Sequence, residues 1–309
     1  MGLSPGDSFD LVHIPRFGAP FALIVLVLFS STTAAAERPV WRPEWPKFRP
    51  AEIAFTAGNT MQVVASVVLW NQPTRNFDGP ILFDEPIRDG LRLRTRDART
   101  AAATASDMMY YALLFVPAVE APIVGGIRGD REVAVQTLAI NFQSYAFAGA
   151  TAIALEKVGR ARPSARECDR DPSYDRRCDD KPRLNTSNVS GHTAIAFTGA
   201  GLTCAHHLNL PLYGGGAPDI AVCVAALSVA TAQAVLRINS DNHYATDVIL
   251  GASLGLASGY ALPKLLHYRT ASGKSASLLP TFRSRELGAH FVVAPTFGGV
   301  NGASITGAF

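Results

Sequence analysis

The chain has 309 residues, enough for one large domain or two small ones. Its hydrophobic fraction of 48% is ordinary for a globular protein and low for one built wholly of membrane spans, while a mean hydropathy of +0.15 leans slightly toward membrane. A net charge of +3 is too small to mark a nucleic-acid partner, and no zinc-finger, basic-zipper or aromatic RNA-binding pattern is present.

In chain order, residues 1–36 read as a signal peptide: Arg16, the apolar run Phe21 to Ser31, then a small-residue site at Ala34 to Ala36 where cleavage is expected. The alternative is an uncleaved anchor, although the apolar core is shorter than the ~20 residues of a span. Residues 37–100 form an N-terminal extension. Its start, RPVWRPEWPKFRP, reads as an irregular lead-in. MQVVASVVLW is a short apolar run, and ILFDEPIRDGLRLRTRDAR reads as a solvated helix. From residue 101 the periodicity becomes helical, with helices expected near 101–118, 131–158, 191–208, 218–237 and 243–264. The second is uncharged from Val133 to Leu155, long enough for a span, yet Gln136, Asn141 and Gln143 suit a helix buried in protein. Gly251, Gly255 and Gly259 place a glycine stripe on one face, where another helix can come close. Residues 268–309 are β-like, with glycine turns. The expected fold is mainly α: a helical bundle over 101–267 with a small C-terminal β appendage.

An exported chain gives its four cysteines an oxidising setting. Cys168 and Cys178 bracket a polar loop that a local bridge would close. Cys204 and Cys223 lie in apolar helical stretches, either as small buried hydrophobes or as a second bridge.

Chemistry-bearing residues gather at three helix ends. LRINSDNHYATDVILG, from Leu236 to Gly251, places Arg237, His243 and Asp247 between apolar runs. If a helix begins near 243, Asp247 lies on the same face as His243 and can accept its ring N–H, fixing the tautomer and activating the other nitrogen. Arg237 suits a bidentate grip on phosphate. NVSGHTAIAF opens another helix, whose N-terminal N–H groups favour anions. Gly191 lets a ligand approach, Ser190 adds a hydroxyl, and His192 is placed to act as an acid. Arg160 and Arg162 stand just past the uncharged helix, before Pro163. Brought together, these groups make an anion site equipped for phosphoryl transfer.

The three segments resemble the signature of the type 2 phosphatidic acid phosphatase and vanadium haloperoxidase superfamily, Lys-x6-Arg-Pro, Pro-Ser-Gly-His and Ser-Arg-x5-His-x3-Asp. Here Arg162-Pro163, Ser190-Gly191-His192 and Arg237-x5-His243-x3-Asp247 match in order, over roughly residues 100–265. The resemblance implies that His243 attacks phosphorus and becomes phosphohistidine, with Asp247 orienting it and His192 protonating the leaving oxygen. It implies that Arg162, Arg237, Ser190 and Gly191 hold the phosphate oxygens, and that hydrolysis needs no metal and no cofactor. Three positions depart from the signature. Leu155 stands at the lysine, Val189 at the proline and Leu236 at the serine. Lys157 is about 200° away around a helix, and Arg160 is the residue expected to replace the lost charge.

The substrate implied is a phosphorylated lipid or a small phosphate ester. Two other classes stand beside this reading: a haloperoxidase holding vanadate in the same pocket, and a non-catalytic phosphate-binding relative. His206 and His207 read as the edge of a polar loop, and His267 and His290 as surface residues. The loop NLPLYGGGA carries no Lys or Arg, which runs against an embedded bundle whose active-site end faces outward. The expected location is the periplasm, soluble or associated with the membrane. The alternative is an integral membrane protein with a periplasm-facing site.

Overall fold

The computed structural model describes residues 37–69, 73–128, 130–175, 177–179 and 181–269, and the backbone of short strands at 282–283, 290–296 and 302–308. The expected leader, 1–36, and most of the expected C-terminal appendage lie outside the described residues, as does the side chain of His290.

The chain before residue 101 holds more structure than an irregular lead-in. Helix α1 (Pro50–Val68) starts at a proline in its first turn, with Glu52 Oε2 accepting the Arg49 N–H at 2.8 Å. It lies along the uncharged helix α4 (Arg131–Glu156), where Gln62 Nε2 donates to the Ala150 carbonyl at 3.0 Å. Gly58 and the β-branched run Val63-Val64 weaken the local helix signal. The packed neighbour supplies what propensity does not. Helix α2 (Asp84–Leu91) is not solvated as its charges suggest. Asp84 and Arg88 are both buried, and Arg88 grips Asp241 with two hydrogen bonds of 2.7 and 2.8 Å.

Helix α3 (Arg96–Ile127) runs well past the expected end near 118, through Pro117 and Pro122. A proline inside a helix orphans the carbonyl four residues earlier. Here α4 repairs both losses. Tyr145 Oη donates to Leu113 O at 2.8 Å, and Asn141 Nδ2 donates to Ala118 O at 3.3 Å. The polar residues of the uncharged helix thus keep its neighbour helical. Asp130 caps α4, accepting from the N–H groups of Glu132 and Val133.

The remaining elements are α5 (Pro163–Arg170), a 3-10 turn (Lys181–Asn185), α6 (Gly191–His207), α7 (Ala217–Asn239), α8 (Ala245–Leu256), a π-helical turn (Ala257–Ala261) and α9 (Leu262–Leu266). Helix α6 is central. From Thr193 to His207 every residue except Ile195 is buried, among α3, α4, α7 and α8. The glycine stripe explains how α8 comes so near. A Cβ on Gly251, Gly255 or Gly259 would lie 2.7, 2.4 or 2.0 Å from the carbonyl oxygens of Ser190, Ala194 and Thr198 along α6. Phe197, Ala200, Ala230, Ile238 and Val248 fill the core beside this seam.

Two disulfides close loops, Cys168–Cys178 and Cys204–Cys223. The second settles the two readings of the apolar cysteines in favour of a bridge. Strands β1 (Phe282–Arg283), β2 (His290–Thr296) and β3 (Gly302–Ala308) pair antiparallel in that order.

The outer faces are apolar. Met108, Phe115 and Ile127 on α3, Leu138 and Phe142 on α4, Val224 on α7 and Ile249 and Leu250 on α8 are exposed. Among the described residues four segments are long and apolar enough to cross a membrane: α3, α4, α7 and Ala245–Leu266.

Candidate active site

The site lies at the end of the bundle where α4 finishes, α5 and α6 begin, α7 ends and α8 begins. Arg162 is the N-cap of α5, with Pro163 in the first turn. Its Nη2 donates to Thr186 Oγ1 at 3.0 Å, while its buried Nε has no hydrogen-bond partner. Arg237, in the last turn of α7, is 2% exposed. Its Nη1 donates to Asp107 Oδ1 at 3.0 Å, and its Nε is likewise buried and unpartnered. An N–H left over on a buried guanidinium costs free energy unless something arrives to accept it.

His243 is 2% exposed, and its Nδ1 lies 2.9 Å from the Ser187 carbonyl oxygen. A carbonyl only accepts, so Nδ1 carries the hydrogen and Nε2 the lone pair. Burial, then the charges of Arg162 and Arg237, hold His243 well below the usual histidine pKa. It is therefore neutral, the state a nucleophile needs.

His192 opens α6 with its Nε2 3.4 Å from Asp107 Oδ1 and its ring 4.6 Å from that of Tyr110. Its side chain is 40% exposed, the most open of the titratable groups in the site described so far. Desolvation by its surroundings, then Arg237, Arg162 and Arg177, lower its pKa. Burial, then the charge of Arg177, also lowers Arg162, to about 10.

Three expected roles change. Asp247 does not hold the His243 ring. It is wholly buried and accepts from Arg160 Nη1 and Ser187 Oγ, each at 2.6 Å, and from the Tyr244 N–H at 3.0 Å. Ser187 in turn presents the carbonyl that His243 uses, so Asp247 acts on His243 one residue removed. Arg160 does not face the anion site. It is 2% exposed and spent on Asp84 Oδ2, Asp247 Oδ1, Thr246 Oγ1 and the Gly79 carbonyl. The Ser190 hydroxyl is the cap of α6, accepting the Thr193 N–H and lying 2.9 Å from Thr193 Oγ1. A Cβ on Gly191 would lie 3.1 Å from Glu156 Oε1.

Asp107, Ser187, Glu156 and Arg177 belong to the site and were not singled out by sequence. Asp107 carries the one legible signal, being the lone charge between Arg99 and Glu120. Leu155, at the lysine position of the signature, is 39% exposed. His206, His207 and His267 are not at a loop edge or on the surface; all three are buried. Among the described residues no group of three or more His, Cys, Asp or Glu could hold a metal ion.

A helix N-terminus, two arginines with buried, unpartnered Nε–H groups and a neutral histidine thus meet at one end of a helical bundle, an arrangement that suits an anion. The family model of the PAP2 superfamily matches residues 138–271, which hold Arg162, His192, Arg237, His243 and Asp247. The match supports a phosphatase-type function in general. No curated protein and no solved structure matches the chain.

Proposed function

We propose that the protein is an exported phosphoric monoester hydrolase working through a phosphohistidine on His243. The observation that carries this reading is the pair of buried, unpartnered Nε–H groups on Arg162 and Arg237, whose charges both bear on His243. They bind the phosphoryl oxygens with the N-terminus of α6. Nε2 of His243 attacks phosphorus, a P–N bond forms, and the P–O bond to the alcohol breaks. His192, protonated once the bound phosphoryl anion offsets the surrounding arginines, gives its proton to the departing oxygen. Water then attacks phosphorus, its proton passes to His192, and the P–N bond breaks to release inorganic phosphate. No metal or other cofactor enters these steps. Asp247 is a positioning residue, acting through Ser187.

The substrate is a phosphorylated lipid or a small phosphate ester. The exposed apolar faces of α3, α4, α7 and α8 associate with the membrane. Disulfides in both the site loop and the α6–α7 connection fit an oxidising compartment such as the periplasm.

The test is phosphate release by the purified chain, wild type beside His243→Ala, from an aryl phosphate and from a phosphatidate in detergent. Release that falls by about 10⁴-fold or more in the variant is expected, with the preferred substrate dividing lipid from soluble ester. Undiminished release by a folded His243→Ala would overturn the mechanism. Halide oxidation requiring vanadate and peroxide, without phosphate release, would overturn the hydrolase.

A further inference from the structure

Helix α2 lies before the segment that the PAP2 family model matches, yet both of its buried charges are spent on the stretch that carries His243. Upstream of the histidine, Arg88 Nε and Nη2 donate to Asp241 Oδ1 and Oδ2 at 2.7 and 2.8 Å. Asp241 has a φ of +57°, in the left-handed region that side chains rarely adopt, and Tyr174 Oη donates to the same carboxylate at 2.9 Å. Just past α2, the Leu93 N–H donates to the Asn239 carbonyl at 3.0 Å. Downstream of the histidine, Asp84 Oδ1 accepts the Thr246 N–H and Asp84 Oδ2 accepts the Thr246 hydroxyl, each at 2.8 Å. Asn239, Asp241 and Thr246 are therefore all tied to one short stretch, 84–93, and His243 lies between the ties.

Asp84 reaches the histidine by a second route. Its Oδ2 accepts from Arg160 Nη2 at 2.6 Å, while Arg160 Nη1 donates to Asp247. The Arg160 carbonyl accepts the Ser187 N–H at 2.9 Å, and Asp247 accepts the Ser187 hydroxyl. Ser187 is the residue whose carbonyl takes the Nδ1–H of His243. Both the backbone that bears the ring and the acceptor that fixes its tautomer thus hang from α2. Asp84, Arg88, Arg160 and Asp241 are all buried. A buried ion pair gains little over apolar side chains of similar volume, because desolvation offsets the attraction. Two such pairs converging on either side of one ring suit a geometric task better than a stabilising one.

We propose that Asp84 and Arg88 are positioning residues for His243, and that α2 is a part of the working site that the family segment does not contain. This deepens the phosphatase reading above and rests on it. The clamp keeps Nε2 in the placement and the tautomer that attack on phosphorus requires, while Arg162 on α5 and Arg237 on α7 hold the oxygens. Loosening it slows the chemical step more than it weakens anion binding.

The experiment uses the full chain as wild type, Arg88→Met, Arg88→Lys and Asp84→Asn. It measures kcat and KM for an aryl phosphate, inorganic phosphate binding by calorimetry, melting curves, and nitrogen NMR of the His243 ring, identified by the signal that His243→Gln loses. Arg88→Met should lower kcat per folded molecule about 100-fold, leave KM and phosphate binding near wild type, and replace the single Nδ1–H tautomer by a mixture. Asp84→Asn should act in the same direction. Arg88→Lys keeps the charge without the fork and should recover part of kcat. A wild-type kcat and ring spectrum in folded Arg88→Met and Asp84→Asn would overturn the proposal while leaving the phosphatase standing. A loss confined to phosphate binding would overturn it as well. A wild type that binds phosphate without turnover would sink the phosphatase reading alone, and the ring spectra would still decide the clamp. If neither Arg88→Met nor Asp84→Asn folds, Arg88→Lys decides it: a wild-type kcat and ring spectrum in the folded lysine variant would be inconsistent with a two-pronged hold on Asp241.

Discussion

The two ends of α6 each carry a histidine in a polar cluster, and they differ in how completely those groups are satisfied. At the far end every ring nitrogen of the pair has a partner. His206 Nδ1 meets Tyr268 Oη at 2.6 Å and its Nε2 meets Asn141 Oδ1 at 2.7 Å. His207 Nδ1 meets Asp219 Oδ1 at 2.7 Å and its Nε2 meets Glu120 Oε2 at 3.3 Å. Asp219 also accepts the N–H groups of Tyr213 and Gly215. At the other end Arg162 and Arg237 keep buried N–H groups without acceptors, and His192 is open to solvent. The density of buried polar groups does not separate a site from a structural network. The unfilled valences do.

Replacing one histidine at each end by alanine breaks this contrast most sharply. His192→Ala should lower kcat by about 10³-fold and leave the melting temperature nearly unchanged. His207→Ala should keep kcat per folded molecule but cost about 3 kcal/mol, because Asp219 and Glu120 lose their shared partner in the interior. Equal effects on activity from the two substitutions would erase the distinction between the ends. The two disulfides give the next comparison. Removing Cys204–Cys223 with serines frees a 19-residue separation and should cost about 3 kcal/mol of stability without raising KM, whereas removing Cys168–Cys178 should raise it. Gly259→Ala tests the seam that holds both ends in register. The new Cβ would fall 2.0 Å from Thr198 O, and a loss of about 2 kcal/mol is expected by thermal melting.

The smallest effect is in the pH dependence of stability. Folding holds His243 well below the ordinary histidine pKa of 6.5. Below pH 6.5 the unfolded chain takes up a proton at this residue that the folded chain refuses, so stability falls as pH drops. The slope attributable to the residue is at most about 1.4 kcal/mol per pH unit. His243→Gln should be less acid-sensitive than wild type below pH 6.5 in denaturant titrations, and the two should run parallel above it. Identical slopes at acid pH would mean that His243 charges freely in the folded state.

The parts of the site that were legible in the sequence are those written in short local patterns. Arg162-Pro163, Ser190-Gly191-His192 and Arg237 to Asp247 each combine a helix end with a chemical group, and the helix ends lie together in the structure. The glycine stripe was legible for the same reason, since its spacing is its function. Partners chosen by the fold were not. Asp247 and His243 sit at helical spacing, but the capping of α8 by Asp247 and the pull of Arg160 and Ser187 turn the carboxylate elsewhere. The passage of α3 through two prolines depends on Tyr145 and Asn141 of another helix. Arg177 lies in an arginine-rich loop with nothing local to distinguish it from its neighbours.

The aromatic cluster of Trp41, Trp45 and Tyr268 has a consequence for the order in which the chain matures. Trp41 and Tyr268 lie 5.6 Å apart between ring centres, and Trp45 and Tyr268 5.0 Å apart, yet they come from opposite ends of the helical segment. During synthesis the tryptophans emerge before any helix exists, and their partner emerges after the last one. Until then the far end lacks both its aromatic lid and the hydroxyl that Tyr268 gives His206. A ribosome-bound chain stalled short of residue 268 should therefore remain open to proteolysis at the end remote from the candidate site.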